Sequence, residues 1–175
     1  MEFGETHIFL TGRKGVGKST LLGKVLRGLN VPAGGFLTKK VRLPGAERAS
    51  VHLLHPGTAE TPGEANFLFY CGDKGKETAD QFDRMAVQAL RERNGKSLIV
   101  MDELGPHEAR ALLFQQEVLR VLDGDIPVFG VLQDAEAPFL KEIAEHPRVQ
   151  VIRVTEENRD SLTKELVSRL SAEIK

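Results

Sequence analysis

The chain has a single cysteine, Cys71, in 175 residues, which excludes an intrachain disulfide and a thiolate metal cage built from this chain. It has almost no net charge: 24 Lys+Arg against 25 Asp+Glu leave −1. That argues against broad, sequence-independent binding to nucleic acid or acidic membranes, which needs a basic excess. Long apolar runs are missing too. Stretches such as Leu98-Ile99-Val100-Met101 fall far short of the roughly 18 residues that span a bilayer. The acidic start Met1-Glu2-Phe3-Gly4-Glu5 lacks the basic n-region of a signal peptide, so the expectation is a soluble cytoplasmic protein. No internal repeat or low-complexity tract occurs.

With 41% hydrophobic and 28% charged residues the composition is that of a folded globular chain. At about 150 residues per domain, 1–175 is expected to form one domain. Short β-rich runs at 6–11, 35–42, 49–55, 67–70, 97–101, 126–132 and 149–154 are separated by helical periodicity at 18–29, 77–93, 108–122, 138–145 and 159–173. Alternating strands and helices, with strands apolar on both faces, predict an α/β fold: a mostly parallel sheet flanked by helices. The turn Leu43-Pro44-Gly45-Ala46 adds an antiparallel hairpin.

Glycine is raised, at 17 residues, and its placement carries chemistry. Gly12-Arg13-Lys14-Gly15-Val16-Gly17-Lys18-Ser19 matches G-x-x-x-x-G-K-[ST] in full, after a strand and at the start of a helix. Such a loop wraps phosphate with inward-pointing backbone N–H groups, and the dipole of the following helix reinforces it. Residues 12–20, through Thr20, are therefore candidate nucleotide contacts. Lys18 would reach the β- and γ-phosphates, and the Ser19 hydroxyl would ligate Mg²⁺.

A phosphate loop also needs an acidic contact to the metal from a neighbouring buried strand. Asp102 directly follows the apolar run 97–101 and so emerges at the carboxyl edge of the sheet. Mg²⁺ keeps several waters, so Asp102 would act on a metal-bound water rather than ligate directly. Glu103 beside it can deprotonate the attacking water. Glu108 is either a further metal contact or a helix-start acid, and His107 could sense metal or phosphate. Asp102-Glu103-Leu104-Gly105 fits the D-x-x-G of GTPases, but no N-K-x-D follows, which disfavours strict guanine selection.

Negative charge spreads over the γ-phosphoryl oxygens during transfer, so a guanidinium close by accelerates it. Arg13, Arg42, Arg48 and Arg159 are the candidates, Arg42 and Arg48 flanking the hairpin turn. Asn158 and Arg159 follow the last strand, where a base could rest, and Asn158 is also placed to cap the final helix. The basic run Thr38-Lys39-Lys40-Val41-Arg42 reads as a solvated strand edge. His52 and His55 have H-x-x-H spacing, but a strand would put them on opposite faces, against a zinc site.

Taken together, these residues resemble the nucleoside-triphosphatase family of P-loop proteins, to which thermophile NTP phosphohydrolases and the cancer-related nucleoside-triphosphatase belong. The resemblance rests on 12–19, on Gly35-Phe36-Leu37-Thr38 with Val41-Arg42 and Arg48, on Asp102-Glu103-Leu104-Gly105, and on Thr155-Glu156-Glu157-Asn158-Arg159-Asp160. It departs at Pro106-His107, at Lys40 and at Ser50-Val51, where the family pattern has other residues. The resemblance implies a RecA-like core and Mg²⁺-dependent hydrolysis of nucleoside triphosphates, ATP and GTP among them, to diphosphates with loose base preference. It also implies that the glutamate after the Walker B aspartate activates water. A small P-loop kinase and a nucleotide-dependent binding switch are the alternatives.

Overall fold

A computed structural model describes residues 4–73, 75–105 and 111–175. The elements run β1 (His7–Thr11), α1 (Lys18–Leu29), β2 (Ala33–Val41), β3 (Ser50–Leu54), β4 (Phe67–Tyr70), α2 (Lys76–Arg91), β5 (Leu98–Leu104), α3 (Leu112–Leu122), β6 (Val128–Leu132), α4 (Pro138–Ala144), β7 (Val149–Arg153) and α5 (Arg159–Glu173). The expected α3 start at Glu108 lies outside the described residues, as does His107. The other elements appear close to where the apolar periodicity puts them.

All seven strands form one sheet in the order β4-β3-β2-β5-β6-β1-β7. β2, β5, β6, β1 and β7 run parallel. β3 and β4 add on antiparallel through the hairpin. The hairpin turn has Pro44 followed by Gly45 at φ 79°, and the Ala46 N–H returns to the Leu43 carbonyl at 3.0 Å. Proline then glycine at positive φ is the chemistry of a type II turn. The important topological fact is that β6 separates β1 from β5. The phosphate-loop strand and the Asp102 strand are therefore not neighbours, which is the RecA-like order.

Alternation along each parallel strand divides the core into two layers, as a sheet covered on both faces requires. Ile8, Leu10, Leu98, Val100, Phe129 and Val131 pack with α1 and α5 through Leu21, Leu22, Val25, Leu162, Leu166 and Leu170. Phe9, Ile99, Met101, Val128 and Leu132 pack on the opposite face with Phe82, Phe114, Val118 and Leu140 of α2, α3 and α4. Phe9 needs space on that face, and Gly130 supplies it: a Cβ at Gly130 would lie 2.6 Å from Phe9 Cε1 and 2.7 Å from the Met101 carbonyl oxygen.

His7 is fully buried at the base of β1, where its ring ties three elements. Nε2–H donates to the Leu122 carbonyl at 2.8 Å, and Nδ1 accepts from the Val128 N–H at 3.0 Å. The bond that Nδ1 accepts demands the neutral ring. Burial, the largest influence, pushes its pKa down from 6.5 to about 4. Among the described residues no helix is long and apolar enough to cross a membrane.

The basic run in β2 is solvated for a topological reason. β5 pairs with β2 over Ala33 to Leu37, whereas β3 pairs with it over Leu37 to Val41. The second half of β2 therefore projects past β5, leaving Lys39 and Lys40 exposed.

Candidate active site

The carboxyl ends of β1, β5, β6 and β7 meet along one sheet edge, where open α/β sheets bind ligands. β1 delivers the loop 12–17 there. Its glycines adopt backbone that other residues avoid, with Gly12 at φ 145°, Gly15 at 81° and Gly17 at 107°. Gly12 is also sterically required, because a Cβ would sit 2.7 Å from the Val154 carbonyl oxygen. Gly17 occupies the N-cap of α1, so the unpaired amides of the first turn face the loop. Lys18 curls back onto its own loop. Its Nζ donates to the Gly12 carbonyl and, at 3.1 Å, to the Arg13 carbonyl.

The resulting cavity, of about 750 Å³, is lined by every loop residue from Gly12 through Lys18 except Val16, by Ser19 and Thr20, and by Glu103, Gln133 and Asp134. The loop and the proposed water-activating carboxylate thus share one space. Asp102 is buried beside Glu103, 6% exposed, and its Oδ1 has no hydrogen-bond partner. Burial first, and the Glu103 charge second, push the Asp102 carboxyl up from 3.8 to about 7. Contrary to the sequence expectation, Asp102 does not follow the strand but lies within it, since β5 continues to Leu104. The register with β6 slips between Met101 and Leu104, breaking the alternation that the preceding run obeys. Leu104 accordingly packs on the α2–α3 side, while the even-numbered Leu98 and Val100 pack on the α1 side.

The arginines expected around the phosphates divide into two sets. Arg13 lines the cavity and pairs with Glu156. Arg42 and Arg48 do not line it. Arg42 donates to the Glu47 carbonyl at 3.0 Å within its own hairpin. Arg48 pairs with Asp73 at 2.7 Å and stacks over the Tyr70 ring, 4.8 Å from its centroid. Arg159 braces the loop, its Nη1 donating to the Val16 carbonyl at 3.2 Å.

Asn158 occupies the N-cap position of α5, but its side chain makes no capping bond. Instead Oδ1 accepts from the Thr155 N–H at 2.7 Å and Nδ2 donates to the Arg153 carbonyl at 2.9 Å, which corrects the expected capping role. His52 and His55 do point to different surroundings. His52 is buried, bonded to Ser50 Oγ at 2.8 Å and Asn66 Oδ1 at 2.9 Å, and His55 contacts Glu60 on the surface.

Gln133 and Asp134, which the sequence reading passed over, also enter the cavity. Gln133 follows the apolar β6 just as Asp102 follows an apolar run, so the same signal marks it. Asp134 is paired with Arg153 through both carboxylate oxygens, at 3.0 and 3.2 Å, and this pairing holds its carboxyl below the usual range.

The chain matches the NTPase family over residues 7–167. It is 32% identical to nucleoside-triphosphatase THEP1 of Thermotoga petrophila over 91% of this chain and 90% of that one. It is 31% identical to the human cancer-related nucleoside-triphosphatase, with 93% and 95% covered. The solution structure of a human cancer-related nucleoside triphosphatase superposes with a TM-score of 0.69 at 30% identity, covering 97% of this chain and 99% of that one. The crystal structure of THEP1 from Aquifex aeolicus shares the fold, with a TM-score of 0.71 at 24% identity over 94% and 98% of the two chains.

Proposed function

Because the chain belongs to the NTPase family, we propose that it hydrolyses nucleoside 5′-triphosphates to the diphosphate and inorganic phosphate with Mg²⁺. The observation that carries this reading is the sharing of one cavity by the phosphate loop and Glu103. The loop amides and the α1 dipole bind the triphosphate, and Lys18 leaves the loop carbonyls to meet the β- and γ-phosphates. Glu103 accepts a proton from the attacking water. The new P–O bond forms as the bond to the β-phosphate oxygen breaks, and its electron pair departs with the diphosphate.

The metal reading rests on Asp102. A buried carboxylate oxygen without a partner on β5 and a serine hydroxyl at the start of α1 are the hard oxygen donors that Mg²⁺ prefers. Ser19 would ligate the ion and Asp102 would hold it through a bound water, and the ion would neutralise charge developing on the phosphates. Mg²⁺ takes only one or two protein carboxylates beside substrate oxygens, so this small set suffices.

The build of the β7–α5 connection supports a loose base preference. Glu103 fixes the γ end of the substrate on the β5 side, so the nucleoside leaves toward β7. There a cavity of about 310 Å³ lies between Arg13, Val16 and the segment from Arg153 to Glu157. The Asn158 carboxamide is committed to Thr155 and Arg153, so it holds the loop rather than reading a base edge. With no N-K-x-D, ATP and GTP are both accepted. Arg159 acts on nucleotide through the loop that it braces. We place the reaction in the cytoplasm, consistent with the lone thiol.

A kinase reading draws on a neighbouring cavity of about 870 Å³ that meets the phosphate cavity at Gln133 and Asp134, where an acceptor could sit. One experiment decides: phosphate release from an NTP panel with Mg²⁺ and no acceptor. Wild type releases phosphate from several NTPs. Glu103→Gln still binds them but turns over at least about tenfold more slowly, in line with general-base losses of 10²–10⁴. Turnover that requires an added acceptor would establish the kinase, and binding without turnover the switch.

A further inference from the structure

We propose that Lys14 is a further catalytic residue, its side-chain ammonium meeting the transferred γ-phosphoryl group as negative charge builds there. This rests on the hydrolytic reading above and supplies the charge stabilisation that the four candidate arginines leave unfilled.

The loop backbone puts Lys14 at a corner. The Val16 N–H returns to the Arg13 carbonyl at 3.3 Å, and Gly15 has φ 81°. Residues 13–16 thus form a tight turn, with Lys14 at its second position and a glycine of positive φ at its third. That second position suits proline and tolerates most residues, so the turn itself has no need of a lysine. The neighbours have evident uses within the fold. Gly12 and Gly15 supply unusual backbone, Arg13 pairs with Glu156, and Val16 packs with Leu21 and Leu22 in the core.

Lys14 is exposed and lines the phosphate cavity together with Lys18, Ser19 and Glu103. Among the described residues its ammonium makes no hydrogen bond and no ion pair. Asp134, a carboxylate lining the same cavity, is taken by Arg153 through both oxygens. The arginines are committed elsewhere. Arg13 is held by Glu156 and Arg159 by the Val16 carbonyl, while Arg42 and Arg48 stay on the hairpin with Glu47, Asp73 and Tyr70. Lys14 is therefore the cation that enters the cavity without a partner among the described residues.

The chemistry has a place for it. The loop amides and Lys18 neutralise charge that the triphosphate already carries before reaction, so part of their contribution is spent on binding. As the bond to the leaving diphosphate breaks, charge spreads over the γ-phosphoryl oxygens. An ammonium on a flexible four-carbon stem at the loop corner can follow that charge and strengthen its contact in the transition state. It transfers no proton: Glu103 takes the one from the attacking water, and the diphosphate leaves with the electron pair of the broken bond. Arginines in this role are worth about 10³–10⁵ in rate. An exposed ammonium is screened by water and salt, so about ten- to a hundredfold is expected here.

The test compares Lys14→Met and Lys14→Arg with wild type in steady-state kinetics, affinity for Mg–ADP, and affinity for Mg–ADP with fluoroaluminate, a planar phosphoryl mimic. Lys14→Met should lose at least tenfold in kcat with KM within about threefold. Its ADP affinity stays unchanged, while its fluoroaluminate complex weakens at least tenfold. Lys14→Arg should recover most of both losses, and the wild-type advantage over Lys14→Met should shrink as ionic strength rises. Unchanged kcat and fluoroaluminate affinity in Lys14→Met would overturn the proposal. So would ADP and fluoroaluminate affinities falling in parallel, or a loss that Lys14→Arg shares in full. Absence of turnover in wild type would overturn the hydrolytic reading itself, and the fluoroaluminate comparison still judges the phosphoryl contact of Lys14.

Discussion

Replacing Asp102 by asparagine should stabilise the nucleotide-free protein above neutral pH while removing its metal contact. The carboxyl is 6% exposed and has an unpartnered oxygen, and burial with the Glu103 charge raises its pKa from 3.8 to about 7. The folded chain therefore keeps this proton up to about pH 7, whereas the unfolded chain releases it near 3.8. The resulting stabilisation is complete below 3.8 and is lost as pH rises through 7. About three units at 1.36 kcal/mol each set an upper limit of about 4 kcal/mol on the cost of the ionised group. The asparagine N–H groups enter the same dry space, so the net gain at pH 8 is expected to be about 2 kcal/mol. Urea unfolding in chelator between pH 4 and 8.5 measures it. The wild-type curve should fall relative to that of Asp102→Asn between about pH 4 and 7 and run parallel to it above 7, with the variant higher there. Curves parallel over the whole range, or a variant less stable at pH 8, would refute the reasoning.

His7 works in the opposite direction. Its folded pKa of about 4 lies below the ordinary 6.5, so stability is full above 6.5 and falls toward 4 by up to about 1.4 kcal/mol per pH unit. The slope is best seen in the Asp102→Asn background, and His7→Gln should flatten it between pH 6.5 and 4.5. Gly130→Ala forces a Cβ against Phe9 and the Met101 carbonyl, and should lower the unfolding free energy by about 1–3 kcal/mol by urea titration.

The parts of this molecule that were readable in advance are those set by local chemistry. The loop declared itself because three glycines with a Gly-Lys-Ser triplet have no simpler use, and Asp102 because a carboxylate ends an apolar run. The continuation of β5 through Glu103 to Leu104 was not readable. It depends on a register slip against β6, a tertiary event that leaves no periodicity behind. The arginines show the same boundary. Arg42 and Arg48 flank a turn as expected, but which partners they take depends on Glu47, Asp73 and Tyr70, and no spacing encodes those contacts. Asn158 reached the predicted helix start, yet its side chain turned back to Thr155 and Arg153. Gln133 was hidden for another reason. It ends an apolar run as Asp102 does, but a search for carboxylates overlooks an amide.

The central claim is that residues 12–19 bind the triphosphate through backbone amides and Lys18. Calorimetric titration with a non-hydrolysable Mg–ATP analogue tests it most directly, with wild type and Lys18→Ala compared side by side. The account predicts saturable 1:1 binding by wild type and loss of that binding in a folded Lys18→Ala. No heat with wild type, or equal affinity in the two proteins, would contradict it.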